Sequence, residues 1–124
     1  MSRARVLVID DGAEARELYS AYLEYHGFLV DTAEDGLTGL SKARATHPDA
    51  IVLDYSMPRM DGGQVLEFLR ADEGTRGIPV LMLTAVPELV KGHVRRVCTA
   101  FLEKPCEPDR LVGALCAAIG ERPT

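Results

Sequence analysis

Apolar residues fall into five short, nearly unbroken runs along the chain, each followed by a longer segment of mixed character. The runs occupy residues 5–9, 29–32, 50–53, 80–83 and 100–102. Continuous apolar runs of this length, rather than alternating ones, suit strands covered on both faces. Helices are predicted between and after them over 13–26, 36–46, 62–71, 87–97 and 108–119. The last is the best marked, with Leu111, Leu115 and Ile119 at four-residue spacing and Val112 and Cys116 beside them. Pro108 and Asp109 suit its first turn, Gly120 closes it, and "ERPT" reads as a polar tail.

Strict alternation of strand and helix predicts a parallel sheet with right-handed crossovers. Five such units fit an open, doubly wound α/β sheet, because a closed barrel needs eight strands and about twice the length. Chemistry in such sheets gathers where the carboxyl ends of the strands meet solvent. That rule directs inspection to residues 10–11, 54–57, 84–85 and 104–105.

Composition narrows the classes. The chain has 124 residues, enough for one domain, with 47% hydrophobic and 27% charged residues. Its net charge of −5 argues against nonspecific nucleic-acid binding, which needs a basic footprint. The one compact basic group, Lys91, Arg95 and Arg96, reads as a solvated helix face. No apolar run approaches the ~20 residues of a membrane span, and the acids after residue 9 cut short any resemblance to a signal peptide. A cytoplasmic location is expected. Cys98, Cys106 and Cys116 form no CxxC, and His26, His47 and His93 form no ligand motif, so these residues are expected to fill space and end helices.

Each inspected place carries a polar residue directly after an apolar run. "VLVIDD" ends in Asp10 and Asp11, "IVLD" in Asp54, "VLMLT" in Thr84 and "FLEK" in Lys104. Two adjacent acids at a strand end, with no Lys or Arg beside them, call for a positive partner. Three carboxylates, a hydroxyl and an ammonium would be gathered on one rim, more than the capping of strand ends requires.

With "VLVIDD", "LDYSMPRMDG", "LMLTA" and "FLEKP" in this order, the chain resembles a response regulator receiver domain of two-component signalling, over nearly its whole length. The resemblance implies a flavodoxin-like (βα)5 fold with strand order 2-1-3-4-5 and a single receiver domain over residues 1–124. It implies that Asp54 accepts a phosphoryl group from a sensor histidine kinase, a phosphotransfer protein or an acyl phosphate. Mg²⁺ (or Mn²⁺) would be held by Asp11, Asp54 and the backbone carbonyl of Ser56, with Asp10 acting through a water. Lys104 would join the phosphoryl oxygens when they arrive, Thr84 would donate a hydroxyl, and small Ala85 would leave access. Pro105 would follow a cis peptide bond. Thr84 and Phe101 would be the switch pair, altering a face that docks a downstream effector. Beyond assisting its own phosphorylation and dephosphorylation, such a domain is not expected to be an enzyme.

Asp61 reads as a helix cap and Gly62 as relief of backbone strain, while Tyr55 and Met57 read as loop packing. Pro87 and Gly92 weaken the predicted fourth helix, which is expected to be short or irregular. A relay-only phosphocarrier remains possible within the same reading. The rival from another class is a haloacid-dehalogenase-type phosphatase, which wants an acid two residues beyond its nucleophile, where this chain has Ser56. A flavodoxin-type carrier would need a phosphate-cradling loop where this chain has "DDGAEA".

Overall fold

The computed structural model describes residues 3–120; the "ERPT" tail lies outside the described residues. Five parallel strands form one sheet: β1 (Arg5–Ile9), β2 (Leu29–Ala33), β3 (Ala50–Asp54), β4 (Val80–Thr84) and β5 (Ala100–Glu103). Their order is β2-β1-β3-β4-β5. The helices are α1 (Ala13–Tyr25), α2 (Gly36–Thr46), α3 (Gly62–Ala71), α4 (Gly92–Val97) and α5 (Pro108–Ile119). Among the described residues no helix is long and apolar enough to cross a membrane.

Alternate residues of each central strand enter two separate cores. Leu7, Ile9, Ile51, Leu53, Val80 and Met82 pack with α2, α3 and the region around α4. Val6, Val8, Val52, Leu81 and Leu83 pack with Tyr19 and Leu23 of α1 and with Leu111, Val112 and Leu115 of α5. Burial on both faces explains the unbroken apolar runs. Every residue of β3 and β4 is buried.

Four strands run one residue beyond their predicted ends, through Ala33, Asp54, Thr84 and Glu103. Apolar patterning marks the buried stretch, but the backbone ladder does not stop where the side chain turns polar. Asp54 still pairs with Leu83, and Thr84 with Glu103. Both polar side chains are therefore carried by backbone fixed within the sheet.

The predicted fourth helix is broken in two. A single 3₁₀ turn, Pro87–Leu89, precedes α4, and Val90 and Lys91 between them are extended. Pro87 starts the turn, and Lys91 at the N-cap gives no side-chain cap, so nothing local joins the two pieces. Val94 is the buried residue of α4. Two helix ends match expectation: His47 caps α2 in the left-handed region at φ 46°, and Gly120 caps α5 at φ 86°.

Asp61 caps α3 through a full capping box, its carboxylate accepting the Gln64 N–H while the Gln64 side chain accepts the Asp61 N–H, both at 2.9 Å. Gly62 is required for a different reason from the one expected. A Cβ there would lie 2.7 Å from the Asp54 carbonyl oxygen and 2.8 Å from the Tyr55 Cα. Both are backbone atoms that cannot swing aside. Gly62→Ala is accordingly expected to cost about 1–3 kcal/mol of stability by overpacking. Chemical denaturation checks this, and an unchanged midpoint would mean the loop yields freely.

Candidate functional site

The carboxyl ends of β1, β3, β4 and β5 bring the predicted residues to one rim. Asp10, Asp11 and Asp54 each offer a carboxylate oxygen, and these atoms lie within 4.8 Å of one another. Asp10 is 3% and Asp54 5% exposed, whereas Asp11 faces solvent. Thr84 is fully buried beside them in sequence register, one strand over from Asp54. Ser56 and Ala85 are exposed on the loops that follow β3 and β4. The Lys104–Pro105 peptide bond is cis, as the resemblance implied.

The positive partner missing from the local sequence comes from β5. The Lys104 ammonium lies 3.2 Å from Asp10 Oδ2 and 3.2 Å from Asp54 Oδ1. Lys104 is thus already engaged with both buried acids, rather than waiting for phosphate to draw it in. Burial pulls its pKa down, but the charges of Asp54 and Asp10 outweigh that and leave it raised. Asp54 shows the opposite balance. Burial first, and then the Asp10 charge, push its carboxyl up from 3.8 to about 6, with Lys104 only partly opposing.

Three residues were not found by patterning. The Arg16 guanidinium donates to the Asp10 carbonyl at 2.8 Å and ties α1 to the turn after β1. The Gly12 N–H donates to Asp10 Oδ1 at 2.9 Å, which fixes that carboxylate from below. Tyr19, buried on α1, has its hydroxyl pushed up in pKa by burial, within the field of Lys104, Asp10 and Asp54. Arg16 sits one turn after Gly12, so its reach could have been anticipated; for Tyr19 no sequence signal exists.

The Thr84 hydroxyl accepts the Val86 N–H at 3.0 Å, which leaves its own proton free to be donated elsewhere. Phe101 is partly buried and packs on the same core as Val80 and Met82. Asp61 serves as the α3 cap, and Met57 packs into that core with Tyr55 against it. Cys98 and Cys116 are buried and Cys106 half-buried, and none of the three is in a disulfide.

The donor set fits a hard divalent cation. It is all oxygen, two of its acids are buried, and burial with the neighbouring Asp10 charge pushes the Asp54 carboxyl up to about 6. The linkage has a definite sign. A carboxyl whose folded pKa is raised stabilises the fold while protonated and loses that contribution as pH rises through about 6. The metal-free protein is therefore expected to melt at lower temperature as pH climbs from ~4 to ~6, with Mg²⁺ raising the melting temperature most above that range. Asp54→Asn should flatten the pH slope and shrink the Mg²⁺ effect. An unchanged slope in that variant would locate the titration elsewhere.

A fold of this order, carrying acids at two strand ends, a threonine at a third and a lysine at a fourth, defines a phosphoacceptor-type signalling module. The response regulator receiver domain family model matches residues 6–116, and the chain belongs to that family. It is 30% identical over 120 residues to the polar-differentiation response regulator DivK of Brucella ovis, covering 94% of this chain and 96% of that protein. It is 45% identical over 85 residues to the DNA-binding dual master transcriptional regulator RpaA of Synechocystis, covering 68% of this chain. The chain spans only 35% of RpaA's length. Among solved structures, the chemotaxis response regulator CheY4 of Vibrio cholerae superposes with a TM-score of 0.85 at 34% identity, covering 94% of this chain and 99% of that one. The protein is a receiver domain of two-component response regulators.

Proposed function

We propose that Asp54 is the phosphoacceptor of this receiver and that its rim works as a cation-assisted phosphoryl acceptor site. The observation that carries this reading is the Lys104 ammonium, 3.2 Å from both Asp10 and Asp54 at the edge of a three-acid cluster. An Asp54 carboxylate oxygen attacks phosphorus, the donor's P–N or P–O bond breaks, and the electron pair leaves on the imidazole nitrogen, which takes up a proton from solvent, or on the carboxylate oxygen of the acyl phosphate. Little covalent chemistry is left to the protein beyond placement and charge. Asp54 is placed by its ladder pairing with Leu83, which restricts the line of attack. Lys104, already at the rim, moves its charge from the carboxylates to the transferred oxygens, and Thr84 donates its free hydroxyl proton to one of them.

Asp11, Asp54 and the Ser56 carbonyl would hold Mg²⁺ or Mn²⁺, with Asp10 one water away. When bound, such a cation supplies charge neutralisation between the acids and the incoming group. Donors are a sensor histidine kinase or phosphotransfer protein, and the recipient of the signal is an effector protein rather than nucleic acid or a membrane. Residues 1–124 act as one receiver unit in the cytoplasm. Thr84 and Phe101 form the switch pair that alters the α4–β5–α5 face.

Acetyl phosphate with Mg²⁺, followed by intact mass, tests the reading. One phosphoryl group per chain is expected, with slow loss and no turnover of simple phosphomonoesters. Sustained phosphate release from such esters would instead favour the Asp-nucleophile phosphatase, for which Ser56 stands where the acid is needed.

A further inference from the structure

The parallel register places Phe101 opposite Met82, so Thr84, two residues further along β4, lies next to the ring's position on the same face. Phe101 carries no hydroxyl and makes no hydrogen bond through its side chain, so only packing and charge fix its ring. The charge comes from α4. The Arg95 guanidinium carbon lies 4.3 Å from the centre of the Phe101 ring, well within cation–π range. Arg95 is otherwise an exposed residue on a helix of six residues with no side-chain cap. Its own carbonyl accepts the Cys98 thiol at 3.4 Å, a contact within the last turn of α4.

We propose that Arg95 is a positioning residue for the switch, holding the Phe101 ring against α4 and biasing the unphosphorylated domain toward its resting arrangement. This rests on the assignment of Thr84 and Phe101 as the switch pair. Thr84 moving toward a phosphoryl group opens space behind it, and the ring can fill that space only by leaving the guanidinium. The same departure frees Arg95 and loosens α4, which buries only Val94. By linkage, whatever makes the resting arrangement less favourable makes phosphorylation more favourable.

Arg95→Met keeps the aliphatic stem and removes the charge, whereas Arg95→Lys keeps a cation. Arg95→Met is expected to accelerate phosphorylation by acetyl phosphate about two- to five-fold, the scale of an exposed cation–π contact, with Arg95→Lys close to wild type. In the unphosphorylated Arg95→Met protein, NMR contacts of the Phe101 ring should shift toward the Thr84 methyl. Combined with Phe101→Leu, Arg95→Met should change the rate no further. Unaltered ring contacts, or equal acceleration without the ring, would overturn the proposal. The ring readout needs no phosphate, so it decides Arg95's role even if the wild type accepts no phosphoryl group, a result that would sink the phosphoacceptor assignment instead.

Discussion

Asp54→Ala is expected to take no phosphoryl group from acetyl phosphate and Mg²⁺ under conditions where the wild type is fully converted. The effect should be complete rather than partial. Asp10 is buried and committed to Lys104 and to the Gly12 N–H, while Asp11 projects from the turn after β1. Neither belongs to a strand, whereas Asp54 ends β3 and pairs with Leu83 of β4. Misfolding would not account for the loss, because the substitution removes a buried carboxyl already pushed up to about 6 by burial and by Asp10. Metal-free Asp54→Ala should melt no lower than wild type at neutral pH. Intact mass and a thermal melt read the two effects separately, and an adduct on the variant would move the acceptor to another residue.

Lys104→Ala carries the largest expected loss of stability. Its ammonium is the cation between Asp10 and Asp54, whose side chains are 5% and 7% exposed. Removing one partner of a buried pair leaves uncompensated charge, with a cost on the order of 3 kcal/mol in metal-free protein at neutral pH. The remaining acids can relieve it by taking up a proton, and without Lys104 the Asp54 carboxyl does so at higher pH than in the wild type, so the deficit should shrink as pH falls from neutral. Mg²⁺ should recover part of it from the other direction. Denaturant midpoints at two pH values, with and without Mg²⁺, check this. A variant as stable as wild type in metal-free neutral solution would show that Lys104 spends its time in solvent.

The order of strands and helices was legible because burial on both faces leaves an unbroken apolar run, and an amphipathic helix leaves a stripe. The predicted α2, α3 and α5 boundaries coincide with the observed ones. The strand ends were short by one residue because side-chain polarity and backbone pairing part company at Asp54 and Thr84. The acids, the threonine and the lysine were legible as strand-end residues. Their pairing was not: Lys104 reaches Asp10 across 94 positions of sequence, and local pattern carries no record of such a span. The same holds for Tyr19 beneath the rim and for Arg95 over Phe101. The reason for Gly62 was likewise hidden, because a close approach of backbone leaves the same residue in the sequence as a positive φ.

The contrast between the fully buried β3 and β4 and the lightly anchored α4 divides the domain by its free energy of local opening. Amides of the central strands can exchange with solvent only when the whole fold opens, whereas α4 can unravel while the sheet stays intact. Asp54 and Thr84 thus sit on the slowest-opening part of the described residues, and α4, on the proposed output face, opens far more readily. A partner gripping α4, as proposed, would need to overcome only that small opening energy, while the rim around Asp54 kept its geometry.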